Sequence, residues 1–193
     1  EKKNLKRINY NKIKKVFGVL KNKGWKPVYE KDKVVGLKRN NQKITTEPGF
    51  QYELSGAPFD NIHSVCSENS THFNELREIF SSIGITTSSI AYDPFNKLNE
   101  IPKSPKERYK IMTSEMPKGG ELSLDMMYKT AGIQINYDYI SEEDFEKKFK
   151  VSNYLAPLTI ALFANSPFNE NKLSGFLSYR GKVWQKTNRG GIM

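Results

Sequence analysis

Apolar side chains at Ile13, Val16, Phe17 and Leu20 recur at helical spacing, which predicts a helix over residues 10 to 22, with Gly24 following as the stop signal. Trp25 to Tyr29, Val34 to Lys38 and Ile44 to Leu54 read as strands. The polar runs Lys31-Asp32-Lys33 and Asn40-Asn41-Gln42 separate them, so an antiparallel meander is expected. Asp60 is placed to cap a long helix whose apolar stripe holds Ile62, Val65, Cys66, Phe73, Leu76, Ile79, Phe80 and Ile83, closed by Gly84. On that stripe Cys66 is expected to be buried and inert. A strand over Ile85 to Ala91 and a long loop over Tyr92 to Lys103 follow. Ser104, Pro105 and Glu107 spell a capping box for a helix over Lys106 to Ser114, with Arg108 and Tyr109 on its first turn. Ala131 to Tyr139 alternates as a strand does. Ser141 and Asp144 then begin a helix that Pro157 should kink or divide before Ala164, and a final strand over Gly175 to Arg180 leads to Trp184. The fold class is therefore α/β in the α+β sense, with a mainly antiparallel sheet.

Composition narrows the function classes. Of 193 residues, 37% are apolar and 27% charged, with 11 Phe, 10 Tyr and 2 Trp, an aromatic content that disordered chains lack. The longest mostly apolar stretch, Leu155 to Ala164, is far short of the ~20 residues that cross a bilayer, so no membrane is expected. A single cysteine fits a reducing compartment, and the cytoplasm is the expected location. The net charge of +10 is uneven: residues 1 to 43 hold fifteen Lys or Arg against three acids, whereas the remainder is slightly acidic. Those lysines interrupt an ordinary amphipathic pattern, so a solvated face is favoured over a nucleic-acid-binding module.

The candidate chemistry lies further along. Glu47, Gln51 and Glu53 fall on one face of the third predicted strand, opposite Phe50, Tyr52 and Leu54. Such a face either points its acids at water or shares a hard cation, since Mg²⁺ takes oxygen ligands. Gln134, Asn136 and Asp138 repeat the pattern opposite Ile133, Ile135, Tyr137 and Tyr139, and neither polar face carries lysine, which suggests a shared concavity. Arg108 and Arg180 are candidates for two-point clamps on carboxylate or phosphate, with a surface ion pair as the alternative. Trp184, four residues after Arg180, could wall a pocket or close the core. His63 and His72, nine residues apart, do not have the spacing of a helical metal pair.

The strings Glu47-Pro48-Gly49, Glu53-Leu54-Ser55-Gly56-Ala57-Pro58, Arg108-Tyr109-Lys110-Ile111-Met112, Met116-Pro117-Lys118 and Leu124-Asp125-Met126-Met127 occur in order. Together with Gln134, Asn136 and Asp138, and with Ala161 to Phe168, Gly175 to Ser178, Arg180 and Trp184, they resemble the glutamate-cysteine ligases of the plant and proteobacterial type. The resemblance implies a glutamine-synthetase-like catalytic domain, an antiparallel sheet curled into a funnel with helices outside. It implies that ATP, as co-substrate with Mg²⁺, phosphorylates the γ-carboxylate of glutamate, and that the amine of cysteine displaces phosphate to give γ-glutamylcysteine, the first step of glutathione biosynthesis. On matching positions, Glu47 and Glu53 become metal-binding candidates and Arg108 and Arg180 catalytic clamps. Tyr109, Gln134, Asn136 and Trp184 join both arginines in binding substrate. The implied partners are the small molecules glutamate, cysteine and ATP; no specific nucleic acid is expected, and no feature sets an oligomeric state.

Departures from the family pattern bear on specificity more than on reaction type. Phe50 replaces a glycine, Glu107 another glycine, Lys129 an arginine, and Ala131-Gly132 a Cys-Thr pair. These keep a related carboxylate-amine ligase with another amine acceptor as the alternative. Because family members begin earlier and run further, residues 1 to 193 are expected to be one fragment of a single catalytic domain, inactive alone. Glu1-Lys2 would be the trace of a preceding strand, and Arg189 would match a basic position of the family.

Overall fold

The computed structural model describes residues 5–187; the readings made for Glu1-Lys2 and Arg189 lie outside them. Helix α1 (Tyr10–Asn22) forms as its periodicity predicts. The Asn9 side chain accepts the Lys12 N–H at 3.1 Å, and Ile13, Val16, Phe17 and Leu20 are buried while Lys12, Lys14, Lys15 and Lys21 face solvent. Strands β1 (Lys26–Glu30), β2 (Lys33–Arg39), β3 (Gln42–Thr46) and β4 (Tyr52–Ser55) form the expected antiparallel meander in the order β1-β2-β3-β4. The two-residue turns place Lys31 and Asn40 at positive φ, a conformation asparagine tolerates better than lysine. What reads as one strand from Ile44 to Leu54 is two, folded back at Pro48-Gly49.

Helix α2 (Ile62–Ser82) lies against this layer, but its boundary and its buried face both differ from the sequence reading. Asn61, not Asp60, is the N-cap, accepting the Ser64 N–H at 2.9 Å. Leu76, Ile79 and Phe80 enter the core with α1, Trp25, Leu37, Ile44 and Phe50, whereas Ile62 and Phe73 are exposed and Cys66 is an exposed free thiol. A 21-residue helix is about 30 Å long, and only its second half meets the rest of this core. The stripe is real, but periodicity does not say which turns are covered. A thiol reagent should therefore label Cys66 rapidly in the native protein, at a rate close to that in urea; slow native labelling would contradict the exposure.

His72 takes the place in the core that the sequence assigned to its neighbours. Its ring stacks on Tyr52 (5.9 Å, 20°) and meets Trp25 edge-on, and burial holds its pKa below 6.5 despite nearby Glu75. The unfolded chain therefore binds a proton that the folded chain resists, and stability should fall as pH drops through the unfolded value of about 6.5. Urea midpoints at about pH 7.5 and about pH 5.5 should differ in wild type and differ less in His72→Phe. Equal pH dependence in both proteins would remove His72 from the account.

A second core gathers Ile101, Tyr109, Met127 and Tyr128, formed by α3 (Glu107–Glu115), α4 (Ser123–Lys129) and the preceding loop with its short 3₁₀ turn, Leu98–Glu100. The predicted capping box does not form. Ser104 N–H instead donates to the Pro48 carbonyl, Glu107 N–H to Glu30 Oε1, and Lys106 occupies the N-cap position.

Helix α5 (Glu142–Leu162) starts at Ser141 as predicted and continues as one helix through Pro157. None of its side chains is buried. Two predicted strands are absent. Residues 85 to 91 are irregular, and residues 131 to 139 make no strand among the described residues, with Ile133, Ile135, Tyr137 and Tyr139 exposed. Alternation supplies a strand's two faces, but a strand also needs a neighbour's backbone to pair with, and none is placed beside this segment. A small hairpin, β5 (Phe168–Asn169) with β6 (Lys172–Leu173), follows; the final predicted strand, Gly175 to Arg180, does not form, its residues being irregular up to Ser178 and then entering helix α6 (Tyr179–Gln185). Ser178 caps α6 by accepting the Gly181 N–H at 3.2 Å, so Arg180 sits on a helix's first turn rather than at a strand end. Among the described residues no helix is long and apolar enough to cross a membrane. The described residues form a mixed α/β architecture with a four-stranded antiparallel sheet, a two-stranded hairpin and six α-helices.

Candidate active site

The β3–β4 hairpin brings the two candidate carboxylates to one face. Thr45 pairs with Glu53 and Thr46 with Tyr52, and the Glu47 N–H donates to the Gln51 carbonyl at 2.9 Å. Residues 45, 47, 51 and 53 therefore share a side, with 47 and 53 diagonal across the hairpin. Glu47 and Glu53 thus meet across a turn, although the sequence placed them along one strand. Phe50, buried at φ +59°, turns the chain, and Tyr52 and Leu54 pack into the first core.

Loop 47–51 is wedged between the two cores. Gly49 has no room for a Cβ, which would strike the Tyr128 carbonyl, and the Arg7 guanidinium donates to the Gly49 carbonyl at 2.7 Å. Gln51 is spent on this wedge: its amide donates to the Met127 and Thr130 carbonyls (3.2 and 2.9 Å), and its Oε1 accepts the Gly49 N–H.

Helix α3 supplies the cations. Arg108 donates to the Tyr109 hydroxyl at 2.7 Å, lies 4.7 Å from that ring's centre and reaches within 3.9 Å of Glu47 Oε1. The buried Tyr109 hydroxyl in turn shares its one proton between Glu47 Oε1 (3.2 Å) and the Thr46 carbonyl (3.3 Å). Lys106, which the sequence reading passed over, is buried with its Nζ donating to that same carbonyl at 2.8 Å. Desolvation lowers the Lys106 pKa and Arg108 lowers it further, against Glu47, which raises it. Lysine usually reads as a solvated residue. The available clue was its position three residues before Tyr109, on the same side of the helix start. Glu53 has its carboxyl pushed up by desolvation first and by the Glu47 charge second, with Lys106 and Arg108 pulling it down.

A paired carboxylate face bordered by cations suits a magnesium polyphosphate, because Mg²⁺ is commonly held by one or two carboxylates with phosphate and water oxygens completing its shell. Among the described residues no cluster of three acidic, His or Cys side chains offers a closed metal cage. The donor set fits a shared metal rather than a structural one.

A second locus lies at the start of α6. Arg180 is half-buried, its guanidinium 5.7 Å from the centre of the Trp184 ring. Its Nε and the Trp184 Nε1 are both buried without a hydrogen-bond partner, and desolvation lowers the Arg180 pKa with no anionic partner among the described residues. Two buried donors without acceptors are costly, and an anionic ligand would satisfy them. Gly132 abuts this guanidinium: a Cβ there would lie 2.9 Å from Nη2. The two loci are linked through Gln51, which holds the Thr130 carbonyl two residues before Gly132. Gln134 and Asn136 are not brought to either locus; both are exposed on the unpaired segment after Gly132. An open groove of about 590 Å³ between the β2–β3 turn and α2 contains none of these residues.

Residues 4–193 match the sequence profile of the family described as glutamate-cysteine ligase family 2. Among curated proteins, the chain is 41% identical over 192 residues to glutamate-cysteine ligase A, chloroplastic, of Oryza sativa subsp. japonica, covering 98% of this chain and 39% of that protein. The Nicotiana tabacum glutamate-cysteine ligase, chloroplastic, is 41% identical over 98% of this chain and 37% of its own length. The Arabidopsis thaliana glutamate-cysteine ligase, chloroplastic, is 41% identical over 96% of this chain and 36% of its own length. The chain thus spans under two fifths of the length of these relatives.

Proposed function

Because this chain belongs to glutamate-cysteine ligase family 2, we propose that it forms part of the catalytic domain of an ATP-dependent ligase joining the γ-carboxylate of glutamate to the amine of cysteine. The observation that carries the reading is the Glu47–Glu53 face bordered by Arg108 and Lys106, an arrangement suited to metal-bound phosphate at the end of a sheet. In this reading the four-stranded sheet is one part of the funnel that the family resemblance implies.

Glu47 and Glu53 would hold Mg²⁺, which when bound offsets the charge of the ATP phosphates and of the transferring phosphoryl group. Tyr109 orients the Glu47 carboxylate, and Arg108, largely exposed, is free to swing onto a phosphoryl or carboxylate oxygen. Arg180, with Trp184 as a wall, grips an amino-acid carboxylate through two parallel N–H donors. Glutamate is then fixed for a γ-carboxylate oxygen to bond the terminal phosphorus as the bond to ADP breaks, and the cysteine amine, losing a proton, displaces inorganic phosphate from the resulting acyl phosphate. Gln134 and Asn136 remain proposed substrate contacts on the segment that follows Gly132.

The second reading, a related ligase with another amine acceptor, is favoured by one observation: Ala131-Gly132, a departure from the family's Cys-Thr, lies directly beside Arg180. The enzyme expressed from its natural reading frame should release ADP only when glutamate and cysteine are both present, with γ-glutamylcysteine as the product by mass spectrometry. Equal turnover with an amine other than cysteine would favour the second reading, and ADP release without glutamate would oppose both. On the single cysteine we propose the cytoplasm as the compartment. A fluorescent fusion tests this, with plastid import, which the relatives' names make the natural rival, as the contrary outcome.

A further inference from the structure

We infer that Lys129 is a positioning residue for Arg180, acting through Asn169 and Tyr179. The inference rests on the reading of Arg180 as the amino-acid clamp and identifies what holds that clamp in place. Lys129 ends α4 with a side chain fully shielded from solvent, so it cannot itself meet a substrate in this arrangement. Its Nζ donates to Asn169 Oδ1 at 3.0 Å, sits 3.9 Å from Asp125 Oδ1 and lies 4.7 Å from the centre of the Tyr92 ring. The Tyr92 hydroxyl gives its one proton mainly to Asp125 Oδ1 at 2.9 Å, with Asn169 Oδ1 as the longer second acceptor at 3.3 Å.

The Asn169 amide is therefore oriented by charge. An ammonium can only donate, so the oxygen must face Lys129, and Nδ2 is left to donate to the Tyr179 hydroxyl at 3.4 Å. Tyr179 also meets Tyr92 edge to face, with ring centres 5.1 Å apart. It begins α6 immediately before Arg180, and both backbone amides dock on Ser166: Tyr179 N–H on its carbonyl (2.9 Å) and Arg180 N–H on its Oγ (3.1 Å). Lys129 thus fixes the first turn of α6 from beneath while the guanidinium of Arg180 faces the ligand side beside Gly132.

The charges around Lys129 include three acids and one further cation. Lys129 faces Asp125 on its own helix, Asp93 and Arg7 pair at 3.4 Å on the adjoining segments, and Glu170 on the β5–β6 turn adds an acid. Replacing the cation by an apolar chain leaves Asn169 free to flip and present Oδ1 to Tyr179. The first turn of α6 then loses a directional tie but keeps its backbone bonds to Ser166. This role is separate from packing, because a methionine of similar length would fill the same space.

The test uses the full enzyme with Lys129→Met, Lys129→Arg and Tyr179→Phe. Glutamate binding is measured by calorimetry in the absence of ATP, and the Trp184 indole resonance is followed in ¹⁵N-tryptophan spectra. Lys129→Met is expected to weaken glutamate binding about tenfold, the scale of losing a support behind a ligand-binding residue, with the apparent constant for ATP unchanged. It should also shift the Trp184 indole signal while leaving that of Trp25 in place. Lys129→Arg, which restores the cation, should recover most of the affinity. Tyr179→Phe keeps the ring contact and should give a smaller loss of the same kind, which guards against a Lys129→Met protein that does not fold. Unchanged glutamate affinity and an unmoved Trp184 signal in a folded variant would overturn the inference, as would equal losses for glutamate and ATP. If wild type binds no glutamate, the reading of Arg180 fails, while the Trp184 signal still reports whether Lys129 holds α6.

Discussion

Replacing Glu53 by alanine in the full enzyme is expected to reduce turnover at least about a hundredfold without unfolding the protein. Glu53 projects from the exposed side of β4, away from the core in which Tyr52 and Leu54 pack, so its removal leaves no cavity. It also relieves the desolvation, and after it the repulsion from Glu47, that hold the Glu53 carboxyl above its ordinary range. A stability gain or a neutral result is thus expected alongside the loss of catalysis. The two effects separate a ligand role from a structural one. If Glu53 shares Mg²⁺ with Glu47, the remaining carboxylate should leave a raised Mg²⁺ requirement as well as a lower kcat, because the missing interaction is made to the charge that develops during phosphoryl transfer. The checks are kcat as a function of Mg²⁺ concentration and the thermal midpoint of the same protein. Near-normal turnover at limiting Mg²⁺ would make Glu53 an ordinary solvated strand residue.

The second large effect is expected from Arg180→Lys, which should weaken glutamate use while sparing ATP. Lysine keeps the positive charge but not the planar fork, and the buried Nε donor that lacks a protein acceptor disappears with it. A loss of about 1.5 to 3 kcal/mol, the range for a charge-assisted hydrogen bond, corresponds to roughly tenfold or more in the apparent constant for glutamate. Steady-state kinetics with glutamate, cysteine and ATP varied in turn reads this directly. A dominant rise in the constant for ATP would reassign Arg180 to the phosphates, and no change would leave it as a packing partner of Trp184. The spacing of these two residues by four was visible in the chain, and α6 turns that spacing into one face of a helix.

That pair also shows where sequence reasoning reached its limit. The residues were found, but their element was misread as a strand, because Gly175 to Arg180 has strand-like composition while Ser178 acts as a helix N-cap two residues before Arg180. Helices α1 and α5 and the first two strands of the meander were legible because their signals are local: periodicity, turn residues and capping side chains. Helix α3 was placed correctly although the capping box that pointed to it does not form, and the third predicted strand proved to be two. Residues 131 to 139 failed for the opposite reason. Alternation there is clear, but strand formation depends on a partner that no local signal specifies, and Gln134 and Asn136 consequently do not join Glu53 in one concavity. Cys66 was misplaced because an apolar stripe does not reveal how far along a helix the core extends. Lys106 was missed because its value lies in a contact across sixty residues, with the Thr46 carbonyl. The carboxylate face survived even though its strand was broken in two. The hairpin pairs residues 47 with 51 and 45 with 53, so the even spacing that put Glu47 and Glu53 on one side is preserved through the turn.

We propose that this site activates the γ-carboxylate of glutamate by phosphorylation before the amine attacks. Oxygen transfer tests it most directly. The full enzyme would be given glutamate carrying ¹⁸O in the γ-carboxylate, with unlabelled ATP and cysteine, and the released phosphate would be examined by mass spectrometry. An acyl-phosphate intermediate requires one γ-carboxylate oxygen to depart with the phosphoryl group, so the account predicts one ¹⁸O in each phosphate formed with γ-glutamylcysteine. Phosphate released without the label while the dipeptide accumulates would contradict it.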